Sequence, residues 1–227
     1  MTKYLFLSEK SWHDDIYYSL SRRANESWIR IKRKEDFNEA TLCKLQPELV
    51  FIPHWSYIIP ESVWKNFTCI VFHMTNLPYG RGGSPLQNLI VRGHTETMIS
   101  AIKVDKGIDM GDIYCKSPLS LEGSAHEIFE RSVPVIAQMI ERIIEEQLSP
   151  SPQQGTPVHF KRRKEEDGRL NQLSTYTEVY NYIRMLDADG YPNAFVETEH
   201  FIIKFTEAKL DAAGNSEIHA NVVITKK

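Results

Sequence analysis

The feature that most constrains this chain is a rhythm in its opening third, where short apolar runs alternate with stretches of helical spacing. Tyr4-Leu5-Phe6-Leu7 is followed by Trp12, Ile16 and Leu20 at helical intervals, with Ser11 as the candidate N-cap. Trp28-Ile29-Arg30-Ile31 precedes a helical stretch over residues 36–45, and Leu49-Val50-Phe51-Ile52 is stopped by Pro53. A further run, Cys69-Ile70-Val71-Phe72, ends on His73. Short runs so dense in aliphatics suit strands buried on both faces, and strands alternating with helices predict a parallel sheet in an α/β fold. Ligands of such open sheets bind beyond the carboxyl ends of the strands, which is where this pattern puts His73.

Downstream, Ser84-Pro85 predicts a helix start, because proline is tolerated in the first turn, and Leu86, Leu89 and Ile90 continue it. Residues 98–104 and 113–118 read as strands flanking a loop that carries Asp109. Residues 125–147 form one amphipathic helix with Ile128, Val135, Met139, Ile143 and Ile144 on one face, and Pro134 predicts a kink. Residues 149–157, rich in serine and proline, have the composition of a linker. Beyond it lie the basic run Lys161-Arg162-Arg163-Lys164, a helix over 177–186 and strand-like segments at 194–197, 201–205 and 218–224. The expected division is a catalytic domain over 1–150 and a linker with a small helix-plus-strand subdomain over 151–227.

Charge narrows the partners. Lys and Arg number 27 against 30 Asp and Glu, a net charge of -3 that gives no overall pull on a polyphosphate, so no nucleic acid is expected. Cys43, Cys69 and Cys115 form no Cys-x-x-Cys pair and read as reduced core residues of a cytoplasmic protein, with no metal site. The N-terminal apolar run is too short for a signal peptide, and no segment approaches the roughly 20 apolar residues that span a bilayer.

Two turns carry the chemistry. Histidine suits proton transfer near neutral pH, and a carboxylate can fix its tautomer and stabilise its charged form, so His73 and Asp109 are candidates for a pair serving acyl transfer. The loop Leu77-Pro78-Tyr79-Gly80-Arg81-Gly82-Gly83 lacks the ending of a phosphate-binding P-loop and the spacing of a dinucleotide fingerprint. Its glycines permit tight turns and close approach of backbone to a flat ligand. With no Gly-x-Ser-x-Gly elbow and no cysteine beside a histidine in the sequence, an external amine fits better as nucleophile than an enzyme side chain.

His73, the following Leu77-Pro78-x-Gly80-x-Gly82, Pro85, and Ile108-Asp109-x-Gly111-Asp112-Ile113 together resemble the 10-formyltetrahydrofolate-dependent formyltransferases. The similarity extends upstream over residues 50–60. Residues 160–167 and 184–195 look like the tail of the sugar N-formyltransferases. The resemblance implies a Rossmann-like formyltransferase domain with a mostly parallel sheet, a small C-terminal α+β appendage, and 10-formyltetrahydrofolate as cofactor. By position, Ser56, Tyr57, Ile58 and Ile59 would contact the pteridine on one side, while Val104, Asp105, Lys106, Gly107 and Ile108 would line the other. His73 would hold the formyl oxygen as charge develops, and Asp109 would orient His73 and help take the proton from the amine. The family usually has an asparagine two residues before the histidine, where this chain has Val71; Thr75 and Asn76 are the nearest polar residues.

Within the family, Phe72-His73-Met74-Thr75-x-Leu77-Pro78-Tyr79-Gly80-Arg81-Gly82-Gly83-Ser84-Pro85 is most similar to the enzymes of pseudaminic acid biosynthesis. That implies a nucleotide-linked amino sugar as partner, a UDP-linked 4-amino-4,6-dideoxy L-altrose derivative formylated on its 4-amino group. The chain's short tail, and a single basic run that leads directly into Glu165-Glu166-Asp167, set tRNA aside in this reading. Candidate substrate residues are Trp12, His54, Trp55, Tyr79, Gly80, Arg81, Gly82 and Gly83, with core packing open for Trp12 and edge packing for His54 and Trp55. The alternatives are formylation of an aminoacyl group on tRNA or on a peptide-synthetase carrier, or a folate-binding module without turnover, which Val71 motivates. Neither the sugar's stereochemistry nor the oligomeric state follows from the sequence.

Overall fold

The apolar rhythm becomes a sheet. The computed structural model describes residues 1–210 and 217–227. In chain order the elements are β1 (Thr2–Leu7), α1 (Asp14–Ser21), β2 (Glu26–Ile31), α2 (Glu39–Leu45), β3 (Leu49–Ile52), α3 (Glu61–Trp64), β4 (Cys69–His73), β5 (Tyr79–Gly82), α4 (Pro85–Ile90), β6 (Glu96–Lys103), β7 (Ile113–Ser120), α5 (Ala125–Glu145), β8 (Val158–Phe160), α6 (Tyr176–Leu186), β9 (Ala194–Glu197), β10 (Phe201–Leu210) and β11 (Ile218–Lys226).

Six strands form the main sheet in the order β2-β1-β3-β4-β6-β7. β2, β1, β3 and β4 are parallel, in registers such as Leu5 with Ile29 and with Val50, and Val50 with Cys69. The last four residues of β1 are buried without alternation, as expected of a central parallel strand covered on both faces. Leu5, Leu7, Val50, Ile52 and Cys69 join Phe37, Leu42 and Val63 in one core cluster. Burial drives the Cys69 thiol up to about 12, leaving it a neutral core residue. The stacked rings of Trp28 and Phe51, 5.7 Å between centroids, and Tyr4, 5.0 Å from Trp28, pack among themselves. The α/β fold with a mostly parallel sheet is thus present, and the exception matters: β6 runs antiparallel to β4, pairing Ile70 with Lys103 and His73 with Ser100.

Local boundaries moved for physical reasons. Ser11 does not cap α1; it opens a single 3-10 turn, and His13 occupies the cap position. Asn38 caps α2 through a bond accepted from the Thr41 N–H, which delays that helix by three residues relative to its apolar pattern. The stretch expected to be a glycine loop contains a strand, β5, which forms a two-stranded sheet with β8. Residues 149–157 do not behave as a free linker, because Ser151 bridges to Ile113 with both backbone bonds made. Pro134 lies inside α5.

The chain divides into two compact units: one of residues 1–81, 98–119 and 130–159, the other of 82–97, 120–129 and 160–227. The division is therefore not a single cut near residue 150. In the second unit β9, β10 and β11 form an antiparallel sheet, and α6 opens with a reciprocal cap between Thr175 and Glu178. Arg184 is buried there with Nη1 donating to the carbonyls of Leu121 and Gly123. Among the described residues no helix is long and apolar enough to cross a membrane.

Candidate active site

His73 closes β4 and is buried. Its Nε2 lies 2.8 Å from the carbonyl oxygen of Gly80, which can only accept, so Nε2 carries the proton. The other nitrogen, Nδ1, faces Asp109 Oδ1 at 3.6 Å, a gap wider than a direct hydrogen bond. The two loops expected to meet do meet. Gly80, at φ +81, belongs to β5, and its carbonyl fixes the imidazole plane.

The Asp109 loop reaches His73 by a longer route than the sequence implies. Because β6 is antiparallel to β4, its exit lies level with the start of β4, where the Val104 N–H donates to the Cys69 carbonyl at 2.8 Å. The segment must run back along β4 before Asp109 arrives at the last residue of that strand. Asp109 is held at φ +54, in the left-handed region that few non-glycine residues adopt. Gly111 explains the Asp-x-Gly spacing: a Cβ there would stand 1.7 Å from the Lys103 carbonyl oxygen, so only glycine allows the loop to close against β6.

The segment after His73 is pinned from two sides. Ser100 Oγ donates to the Thr75 carbonyl at 2.7 Å and accepts from the Leu77 N–H, while Lys116 Nζ donates to Asn76 Oδ1 and to the Leu77 carbonyl. Val71, two residues before His73, is paired in mid-strand with Ile52 and Ile102 and packs against the core cluster. Thr75 Oγ1 points to the Gly80 carbonyl and Asn76 is bound by Lys116.

The sequence and the fold that carry this pair are matched elsewhere. A family model described as "Formyl transferase" covers residues 16–128, and one described as "Methionyl-tRNA formyltransferase, C-terminal domain" covers residues 165–225. The solved structure of a methionyl-tRNA formyltransferase from Clostridium thermocellum is 39% identical, with a TM-score of 0.96 over the whole of both chains. The chain belongs to the formyltransferase family. Curated methionyl-tRNA formyltransferases of Francisella philomiragia and Campylobacter curvus are 26% identical over 81% of this chain and 28% over 78%. The chain spans 60% and 58% of their respective lengths.

These matches bear out the expected class, an N-formyltransferase, and its donor, 10-formyltetrahydrofolate. They overturn the narrower expectation of a sugar N-formyltransferase of the pseudaminic acid type, with a nucleotide-linked amino sugar as partner and no nucleic acid. Two physical reasons account for the error. A net charge of -3 is a sum over the whole surface and does not exclude a local anion-binding face. The second is that the tail was read by its length and by one basic run, whereas its sequence matches the C-terminal domain of methionyl-tRNA formyltransferases.

In this formyltransferase the remaining candidates fall into distinct settings. Ser56, Tyr57, Ile58 and Ile59 follow β3: Ile59 belongs to the core cluster, whereas Ile58 is 82% exposed and Tyr57 43%. Of the opposite wall, Val104 packs on that same cluster, Asp105 Oδ1 turns back on the Lys106 N–H, Gly107 adopts φ +99, and Ile108 is 64% exposed. Two apolar residues rooted in one core cluster, with uncovered apolar neighbours beside them, fit the flat ring face of a pteridine.

Trp12 meets His54 edge-on at 6.0 Å, with Lys10 Nζ over the Trp12 ring, and Trp55 packs between Phe37 and Tyr57. Burial and then Lys10 push His54 down to about 4. Tyr79 and Arg81 lie in β5, and Arg81 is buried with Nε and Nη2 on Gln153 Oε1. Gly82 and Gly83 are glycines for close approach: a Cβ on either would come within 2.5 Å of Phe160 or Arg162. In the basic run, Arg163 lies over the Tyr182 ring, while Lys161, Arg162 and Lys164 are exposed.

Sequence reasoning missed Gln153 and Lys116. Lys116 alternates with apolar residues along β7 and looks like a solvated face; its ammonium is in fact partly buried, which lowers its pKa. Gln153 was hidden in a segment whose composition signals only a linker.

Proposed function

We propose that this chain transfers the formyl group of 10-formyltetrahydrofolate to the α-amine of the aminoacyl group on methionyl-tRNA. The observation that carries the chemistry is the His73 ring with Nε2 committed to Gly80 and Nδ1 turned to Asp109 at 3.6 Å. The full-length match to a methionyl-tRNA formyltransferase and the tail's match to the C-terminal domain of such enzymes support this amine.

The folate would lie between residues 56–59 and 104–108, and when bound it supplies an electrophilic formyl carbon. His73 Nδ1, once protonated, donates to the formyl oxygen as negative charge gathers there. The Asp109 carboxylate is the anionic partner of that charged ring and the acceptor for the proton leaving the attacking amine. At this spacing an amine N–H or a water beside the pair, not between them, can reach both side chains. Transfer to the amine would release the folate nitrogen as N–H, and the proton that Asp109 takes from the amine is the one that this nitrogen needs. A cytoplasmic location, where tRNA is aminoacylated, goes with this reading.

The test is to incubate the chain with 10-formyltetrahydrofolate and methionyl-tRNA and follow N-formylmethionyl-tRNA by mass spectrometry. Wild type is expected to turn over, while His73→Ala and Asp109→Asn each lose about a hundred-fold or more in kcat and stay folded. A wild-type protein that binds the folate but never formylates methionyl-tRNA would overturn the choice of amine. Full activity in both variants would overturn the site.

A further inference from the structure

We infer that Gln153 is a positioning residue of the formyl-transfer site, a latch that sets the Asp109 carboxylate against His73. The inference rests on the reading of His73 and Asp109 as the reacting pair. Gln153 Nε2 donates to the carbonyls of Asp109, at 2.9 Å, and Gly111, at 2.8 Å. Its Oε1 accepts from Arg81 Nε at 3.1 Å and Nη2 at 2.8 Å. A primary amide has two N–H donors and two acceptor lone pairs, and here all four are used. The orientation of the amide is unambiguous, since the reverse would set its oxygen against two carbonyls and its N–H groups against a guanidinium.

The geometry joins the two halves of the site. Arg81 follows directly on Gly80, whose carbonyl holds His73, while the two carbonyls bracket Met110 in the loop that carries Asp109. One side chain thus ties the backbone that orients the imidazole to the backbone that aims the carboxylate. It also holds a residue at φ +54, a left-handed conformation that a non-glycine residue keeps only where its surroundings enforce it. Ser151, two residues earlier, is bridged to Ile113 at the far side of the same loop, so the segment bearing Gln153 is itself anchored.

Gln153→Glu separates this role from mere packing. Glutamate keeps the size and the Arg81 contact but turns an acceptor toward the two carbonyls, releasing the loop. The expected result is a fall in kcat of about 10- to 100-fold, as misplacement by about 1 Å produces. KM for methionyl-tRNA and for the folate should stay within about three-fold. In the Asp109→Asn background Gln153→Glu should cost nothing further, because both changes remove one function. A substrate-free readout accompanies these: the ring-nitrogen NMR shifts of His73 should move in Gln153→Glu in the direction that Asp109→Asn moves them.

An inactive Asp109→Asn beside a fully active Gln153→Glu with unchanged His73 shifts would sink the latch and leave the site standing. Full turnover in Asp109→Asn would instead sink the reading of the pair. Lowered stability with normal kcat and normal shifts would make Gln153 merely structural and also overturn the proposal. Should Gln153→Glu fail to fold, Gln153→Asn, one methylene too short for the span, is read in the same way.

Discussion

Two histidines of this chain, His73 and His13, are both buried and both hydrogen-bonded, yet their surroundings give them opposite capacities. His73 has a carbonyl on one nitrogen and a carboxylate across a 3.6 Å gap on the other. His13 has Ser8 Oγ 2.7 Å from Nδ1 and the edge of Phe6, and it is pushed down to about 3 by burial first, then by His54, Arg30 and Lys10, against a smaller pull from Asp14. Burial with cationic neighbours keeps the His13 imidazole neutral and makes it a packing element. Burial acts first on His13 and its cationic neighbours add to it, whereas the ring of His73 has a carboxylate across from it.

Exchanging the two roles by mutation gives the largest expected effect. His73→Ala should lower the kcat of the folded protein at least a hundred-fold, well beyond anything that the stability lost with its buried ring explains. His13→Ala should do the reverse: loss of a wholly buried ring and of the Ser8 partner is expected to cost about 2–4 kcal/mol, with kcat of the folded fraction within a few-fold of wild type. Turnover lost in His13→Ala with stability intact would erase the contrast.

A smaller effect sharpens one side of it. Gly111→Ala drives a Cβ into the Lys103 carbonyl, and the loop can accommodate it only by moving away from β6. Since Asp109 lies two residues earlier, a fall in kcat of roughly 10- to 100-fold is expected, together with a loss of about 1–3 kcal/mol in urea unfolding. Normal kcat in this variant would show that the aim of the carboxylate does not depend on the loop's closure.

Much of this was legible in the sequence, and the boundary is instructive. The runs at Leu5, Val50 and Cys69 became central strands because continuous aliphatics have few other stable placements. The sequence marks the Asp109 loop as a tight turn, while the need for glycine at 111 shows only in the structure, where a Cβ would meet the Lys103 carbonyl. What could not be read was direction and partnership. The antiparallel course of β6 is marked by nothing in the residues of either strand, since the helix-bearing connection before it would suit a parallel crossover equally well. Gln153 lies 44 positions from Asp109 in a Ser/Pro-rich stretch whose composition describes flexibility, yet a backbone bridge at Ser151 fixes it. The identity of the amine was beyond reach for a related reason: net charge and tail length describe the whole chain, and no single motif pointed to the acceptor.

The smallest effect tests the other histidine in the intact protein. A histidine whose folded pKa lies below its unfolded value of about 6.5 binds fewer protons folded than unfolded at any pH between the two. Stability therefore rises with pH through that window and is lost as pH falls through it. For His13, lowered to about 3, the window opens near pH 6.5 and continues down to about 3; His54, lowered to about 4, acts in the same direction over the upper part. The slope from a group as buried as His13 approaches about 1.4 kcal/mol per pH unit once the unfolded state is fully protonated. Urea unfolding between roughly pH 6.5 and 5 isolates it, because most carboxylates stay ionised in both states across that range. Subtracting the same curve for His13→Gln, whose amide can still bond Ser8, should remove about one histidine's worth of slope. An unchanged slope in that variant would mean that His13 is protonated in the folded protein, and the distinction between the two rings would not hold.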